Sequence, residues 1–299
     1  MPAATSTASE ADADADAGPW RQEATDLVRA VSGGMLFGIP LLYTMEVWWI
    51  GSETQTPRMV GVLLFMFVPV FLLTRTAGFR TTKDIRWRDA VIDSVETVAI
   101  AVVSVFLLLV LLREITMATP LEEALGKIVY EATPFAIGSA IAQHVLRRGR
   151  AEGDDDSGGN DTADDEGLHA TVVDVGATTI GAVFVAFNVA PTDEIPMLAA
   201  AMPAAWLIAM MGASLVISYC IVFVAGFSDQ KRRHSQPGIL QHPITETVAS
   251  YLISLVVAGG MLWFFQRLAT ENPTSVTLSH VIVLGLPAAV GGAAGRLAA

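Results

Sequence analysis

The sequence has little charge and only one cysteine. Charged residues make up 16% of its 299 residues, whereas a soluble domain carries about 25%. The single cysteine, Cys220, excludes a disulfide bond or a metal site of several cysteines within one chain. Alternation of apolar and polar residues along strands is also absent, which disfavours a transmembrane β-barrel. The sequence therefore argues against a soluble domain and a barrel alike.

Signatures of enzymes and cofactors are missing as well. The sequence contains no His-Glu-x-x-His zinc motif, no Gly-x-Ser-x-Gly elbow and no Gly-x-x-x-x-Gly-Lys phosphate loop. It has no basic, aromatic-rich stretch typical of nucleic-acid binding. We therefore expect no enzymatic activity, no cofactor or metal, and no nucleic-acid partner. Without a phosphate loop, ATP-driven transport by this chain alone is also disfavoured.

Apolar residues are abundant, at 53% of the chain, and the mean hydropathy is +0.52. They come in blocks of roughly 20, each long enough to cross about 30 Å of hydrocarbon as a helix. The blocks lie near residues 27–50, 58–76, 91–112, 125–146, 169–190, 198–225, 244–266 and 276–297. The sequence therefore predicts an all-α polytopic membrane protein with about eight transmembrane helices, embedded in a lipid bilayer.

The distribution of Lys and Arg indicates the orientation of these helices. With a cytoplasmic N-terminus, fourteen basic residues lie on the inner side and four on the outer side, namely Arg58, Arg113, Lys127 and Arg267. Cytoplasmic loops of membrane proteins carry an excess of basic residues. We therefore expect a multi-pass protein of the cell membrane with both termini in the cytoplasm. The oligomeric state stays open, a homo-oligomer included.

The two halves of the sequence match each other at four places in the same order. The matching segments are 44–47 with 192–195, 77–79 with 225–227, 96–99 with 246–249, and 134–138 with 287–291. The offsets are 148, 148, 150 and 153, which drift as short loop insertions would make them drift. A repeat of four spans enters the membrane twice from the same side, so we expect two parallel four-helix repeats related by a pseudo-two-fold axis.

Two acidic stretches account for the net charge of −12. The N-terminal tail and residues 151–167 together hold 12 acidic residues and no Lys or Arg. Such composition is typical of disordered, solvated chain, although a docking segment for a basic partner or a cation is an alternative. We therefore divide the chain into an acidic tail (1–19), a first repeat (20–147), an acidic cytoplasmic linker (148–168) and a second repeat (169–299).

Several segments resemble a prokaryotic family of integral membrane proteins of unknown function. They are Pro40 to Glu46, Gly78-Phe79-Arg80, Trp87-Arg88-Asp89-Ala90, Asp93-Ser94-Val95-Glu96 and Ala190 to Glu194. The resemblance implies a multi-pass membrane fold over most of the chain outside the acidic stretches. The family brings no established activity, so no catalytic residue follows from it.

Ionisable residues within membrane helices are costly and are therefore candidates for function. Glu96 and Glu246 occupy matching positions, and the pseudo-symmetry could place them face to face, where two carboxylates bind a cation or share a proton. Asp93 shares a helix face with Glu96. Glu131 lies in the fourth span, where we expect an ion pair with Lys127 four residues earlier. The alternative for each is an interfacial or paired group without a functional role.

The fourth helix of each repeat carries a Pro and a Gly at matching positions. Pro134 with Gly138, and Pro287 with Gly291, could kink the helix at a binding site or allow close packing, which we favour. A channel or secondary transporter for a small cation or proton is our leading hypothesis. The alternatives are a membrane sensor or assembly component without transport, and an intramembrane enzyme.

Overall fold

The computed structural model describes residues 19–76, 87–144, 163–225, 243–268 and 273–298. This part of the chain forms ten α-helices and no strand. Residues 1–18 of the predicted acidic tail and residues 148–162 of the predicted linker lie outside it. The sixth helix begins at Ala163, inside the predicted linker and before the predicted boundary at residue 169.

Each half of the chain contributes five helices, the second of which is short. The first half contains α1 (Pro19–Leu42), α2 (Met45–Ser52), α3 (Thr56–Thr76), α4 (Trp87–Leu111) and α5 (Leu121–His144). The second half contains α6 (Ala163–Val189), α7 (Glu194–Ala201), α8 (Ala204–Tyr219, continued by a π-helical turn over Cys220–Val224), α9 (Pro243–Phe264) and α10 (Thr274–Ala298).

Seven of the described helices are long and apolar enough to cross a membrane. The spans are Glu23–Leu42, Thr56–Arg75, Trp87–Leu111, Thr171–Val189, Ala204–Val224, Pro243–Phe264 and Thr274–Leu297. Helix α5 has 24 residues, more than five of these seven spans, but Glu122, Glu123, Lys127 and Glu131 lower its hydropathy. The all-helical membrane architecture predicted from the sequence is confirmed, with seven candidate spans rather than the eight predicted.

The sequence predicts one helix over the apolar block 27–50, but the chain forms two helices because it breaks after Leu42. Thr44 is extended (φ −117°, ψ 104°), and the short helix α2 begins at Met45. Trp48 therefore folds back toward α1 and donates a hydrogen bond from Nε1 to the Leu42 carbonyl oxygen, at 3.1 Å. The Trp48 side chain is buried, whereas that of Trp49 is exposed.

The last helix of each half lies at the centre of that half. Helix α5 packs against α1, α2, α3 and α4, and α10 packs against α6, α7, α8 and α9. Glycines allow the closest approach, because a Cβ on Gly138 would lie 2.7 Å from the carbonyl oxygen of Gly33. Gly291 meets Gly181 in the same way between α10 and α6. Small residues let helix backbones approach closely in membranes.

Hydrogen bonds join the two halves at several levels. The Tyr43 hydroxyl donates to the Val283 carbonyl oxygen at 3.0 Å, and Trp206 Nε1 donates to the Leu111 carbonyl oxygen at 2.6 Å. Helix α1 also contacts the π-helical turn and α10. These contacts hold the two halves side by side, with polar cavities near both ends of α1.

Candidate functional site

The first cavity lies between the N-terminal ends of α1 and α4, and we call it the α1–α4 cavity. Its volume is about 650 Å³. The polar residues that line it are Glu23, Asp26, Arg29, Asp93, Glu96 and Gln143, with Trp20 beside them. Helical spacing brings these side chains together, since residues three and four apart share a helix face.

One of the four carboxylates in this cavity has a cation beside it. The guanidinium group of Arg29 contacts Asp26 Oδ1 at 2.6 Å, and its Nε donates to the Ala225 carbonyl oxygen at 2.8 Å. Arg29 is only 6% exposed, so it ties α1 to the end of the π-helical turn. Among the described residues, no Lys or Arg forms a salt bridge with Glu23, Asp93 or Glu96. The described lining of the cavity is therefore negative.

The two repeated glutamates lie in different environments. Glu96 is exposed and lines the α1–α4 cavity, whereas Glu246 forms an ion pair with the buried Arg296 and does not line that cavity. The Arg296 guanidinium also lies 5.7 Å from the centre of the Phe223 ring. At the offset of 153, the residue that matches Arg296 is Gln143, which carries no charge. The structure thus brings Asp93 and Glu96 together and gives Glu246 a partner of its own.

Glu131 is the most deeply buried carboxyl group of the described residues. Its side chain is 1% exposed, and neither carboxylate oxygen has a hydrogen-bond partner there. It lies ten residues into α5, which is about 15 Å along the helix axis. The indole of Trp48 lies beside it but donates its N–H to Leu42 instead.

The predicted ion pair between Lys127 and Glu131 is wrong. Lys127 Nζ contacts Glu123 Oε1 at 2.9 Å and Glu114 Oε2 at 3.2 Å. A glutamate four residues before a lysine pairs better than one four residues after it, and Glu123 and Glu114 also lie closer to the helix end. Glu131 therefore lacks the positively charged partner, Lys127, that the sequence predicts for it.

The packing around Glu131 is close on both sides along α5. One turn earlier, Gly126 contacts Gly51 of α2, where an added Cβ would lie 2.8 Å from the Gly51 carbonyl carbon. One turn later, the Phe135 ring lies against Gly34 and Gly38 of α1. Helix α5 continues through Pro134, as α10 continues through Pro287. Close packing of helices therefore encloses the carboxyl group.

A second polar cavity, of about 340 Å³, lies at the opposite end of α1, and we call it the α2–α7 cavity. Its lining includes both copies of a repeated segment, with Thr44 and Glu46 from one half and Thr192 and Glu194 from the other. Glu194 is 5% exposed and accepts a hydrogen bond from the Met45 backbone N–H at 3.2 Å. Arg267 lines the same cavity and pairs with Asp193 at 2.7 Å.

Two features of these sites go beyond the sequence predictions. Arg29 is one of the fourteen basic residues on the predicted inner side, and a charged residue inside a candidate span is itself a signal of function. The repeated segments at Thr44 and Thr192 indicate duplication in the sequence, and in the structure both line one cavity. Within the described ranges, no group of three or more His, Cys, Asp or Glu residues is arranged to hold a metal ion.

Long apolar helices, buried charges and glycine-mediated packing define a polytopic integral membrane protein. The chain belongs to the family described as "Putative integral membrane protein (DUF2391)", which matches residues 26–299. The resemblance to an uncharacterised multi-pass membrane family is thereby confirmed. Comparisons with curated proteins and with solved structures gave no match.

Proposed function

We propose that this chain is a secondary transporter for a proton or small cation, and that Glu131 is the group that binds it. The observation that carries the proposal is the buried carboxyl group of Glu131, whose oxygens have no partner among the described residues. A charged carboxylate in an apolar setting is costly unless a counter-charge or a proton neutralises it. Exchange of that proton or cation between the two sides of the membrane would be transport.

The enclosure of Glu131 favours a transporter over a channel. A channel keeps its ion sites along an open path, whereas Glu131 is 1% exposed and is not among the residues that line the α1–α4 or the α2–α7 cavity. These cavities lie at opposite ends of α1, near residues 23–29 and 40–44. They would be the two aqueous approaches, from which Glu131 is reached in turn.

We also infer that the two halves arose by duplication and lie parallel in the cell membrane, with both termini in the cytoplasm. The close contact of Gly33 with Gly138 and that of Gly181 with Gly291 support this, since the two pairs differ by 148 and 153, the offsets of the sequence repeat. Helix α5 would be the eighth span, because its 24 residues reach about 36 Å.

Glu131 has no acidic counterpart in the second half. The matching residue is Leu284, which is fully buried. Transport would therefore depend on one half for binding and on the other as a scaffold. An intramembrane enzyme is less well supported, since it needs a second ionisable group beside Glu131, and Lys127 is directed toward Glu123 and Glu114.

The proposal is tested by flux measurements on the full chain in proteoliposomes. A trapped pH-sensitive dye reports proton movement after a jump in external pH, and ion-sensitive dyes report Na⁺ and K⁺. Wild-type protein should carry one of these ions, and Glu131→Gln should reduce the flux to that of protein-free liposomes. Glu122→Gln, on the exposed first turn of the same helix, is the matched control and should retain the flux.

Two results would overturn the proposal. Wild-type protein without flux of any of these ions would favour the competing hypothesis of a sensor or assembly component. Equal flux in Glu131→Gln and wild type would remove Glu131 from the transport path. The variants Glu96→Gln and Glu246→Gln test the repeated glutamates separately. We expect each to reduce the flux less than Glu131→Gln does, because neither glutamate is enclosed.

A further inference from the structure

An apolar groove runs along the outside of the helix bundle where the two halves meet. It has a volume of about 640 Å³ and is lined by α1, α4 and α8. Val31 and Met35 of α1, Val103 and Leu107 of α4, and Ile217 of α8 are among its lining residues. From Leu27 to Met35 it follows α1 for about 12 Å, which suits an extended alkyl chain.

The groove is continuous with the α1–α4 cavity. Leu27 and Ile100 line both of them. One end of the apolar groove therefore opens on Glu23, Asp26, Asp93 and Glu96. A molecule that fills both spaces needs an apolar chain at one end and a polar head at the other.

The charge of the cavity decides which head fits. Its described lining residues carry four carboxylates and one guanidinium, Arg29, which is already bound to Asp26. The N-terminal ends of two helices add a positive charge of about one half each, which does not offset the remaining carboxylates. Trp20 at the cavity is 81% exposed, and an indole ring attracts cations over its face. An anionic lipid head would be repelled, whereas a cationic head would be attracted.

We propose that the α1–α4 cavity and the apolar groove form one binding site for an amphiphilic cation, a molecule with an ammonium head and an alkyl chain. The chain lies in the groove against α1, α4 and α8, and the ammonium group lies beside Asp93 and Glu96. As a further substrate beside the ion on Glu131, this cation rests on the proposed function. Binding itself does not depend on Glu131.

Binding is tested on the full chain in nanodiscs of zwitterionic lipid, with dodecyltrimethylammonium as the probe and empty nanodiscs as the blank. The probe should bind the protein above the blank. Tetramethylammonium, which lacks the chain, and dodecyl sulfate, which carries the opposite charge, should both bind at least about tenfold more weakly. Asp93→Asn with Glu96→Gln should weaken binding of the probe by about tenfold or more, since two charge–charge attractions are lost.

A control on the same helix separates the site from general surface charge. Asp89 is exposed and does not line the cavity, so Asp89→Asn should bind the probe as wild type does. Val103→Trp should fill the groove and weaken binding of the probe without changing that of tetramethylammonium. Equal affinity in wild type and the Asp93/Glu96 variant, or tight binding of dodecyl sulfate, would overturn the proposal.

The variant Glu131→Gln distinguishes this proposal from the proposed function. If the binding site is correct, this variant binds the probe like wild type, whatever happens to flux. If Glu131→Gln loses flux while the Asp93/Glu96 variant binds the probe normally, the transporter stands and the amphiphile site falls.

Discussion

Replacement of Glu131 by leucine should make the protein more stable. A buried polar group without a hydrogen-bond partner costs about 1–3 kcal/mol, and an apolar group of similar shape removes that cost. The carboxyl group of Glu131 is 1% exposed and has two unpartnered oxygens among the described residues. Glu131→Leu should therefore raise the free energy of unfolding by about 1–3 kcal/mol, while it abolishes flux.

Thermal unfolding of the full chain in one detergent, followed by tryptophan fluorescence, measures this change. One kcal/mol corresponds to about 2–4 °C in Tm for chains of 150–250 residues, so an increase of several degrees is expected. Glu122→Leu, at the exposed start of the same helix, is the control and should change stability by less than about 0.5 kcal/mol. A lower Tm for Glu131→Leu would refute the reasoning, because it would mean that the carboxyl group stabilises the fold.

Two further predictions concern packing and the repeated glutamates. Gly126→Ala should lower the stability in the same thermal assay by about 1–3 kcal/mol, because the added Cβ meets the Gly51 backbone. Gly61→Ala, which has open space around it, should raise the stability by about 0.5–1 kcal/mol. Equal shifts in the two variants would contradict the close contact. Glu246→Gln should lower the stability by about 1.5–3 kcal/mol, because it removes the carboxylate that pairs with the buried Arg296 guanidinium. Glu96→Gln should change it by less than about 0.5 kcal/mol, and equal losses would mean that the two glutamates share one environment.

The membrane class was predictable from sequence because it follows from bulk composition. An apolar block of about 20 residues is a candidate membrane helix, and seven of the eight predicted blocks contain a candidate span. The break after Leu42 was not predictable in the same way, because Tyr43 and Thr44 leave the apolar character of the block 27–50 unbroken. Its consequence, the burial of Trp48, depends on how the chain folds back after that break.

The candidate site was predicted in its residue types but not in its pairings. Glu96, Asp93 and Glu131 were candidates because acids inside membrane helices are costly. Which charged residues form ion pairs depends on partners distant in sequence. Glu246 pairs with Arg296, and Lys127 pairs with Glu114. Spacing along one helix predicts only local ion pairs, so it could not show that Glu131 has no ion-pair partner among the described residues.

The proposed transport requires that Glu131 is reached from each side of the membrane in turn. Its most direct test uses a chain in which Cys220→Ser removes the only cysteine and Glu131→Cys places a thiol at the site. A membrane-impermeant thiol reagent is then applied to one side or the other of oriented vesicles without an ion gradient, since the variant lacks the proposed ion-binding carboxylate. The thiol at position 131 should react from both sides of the membrane. A thiol that reacts from neither side, or from one side alone, would contradict access from the two sides in turn.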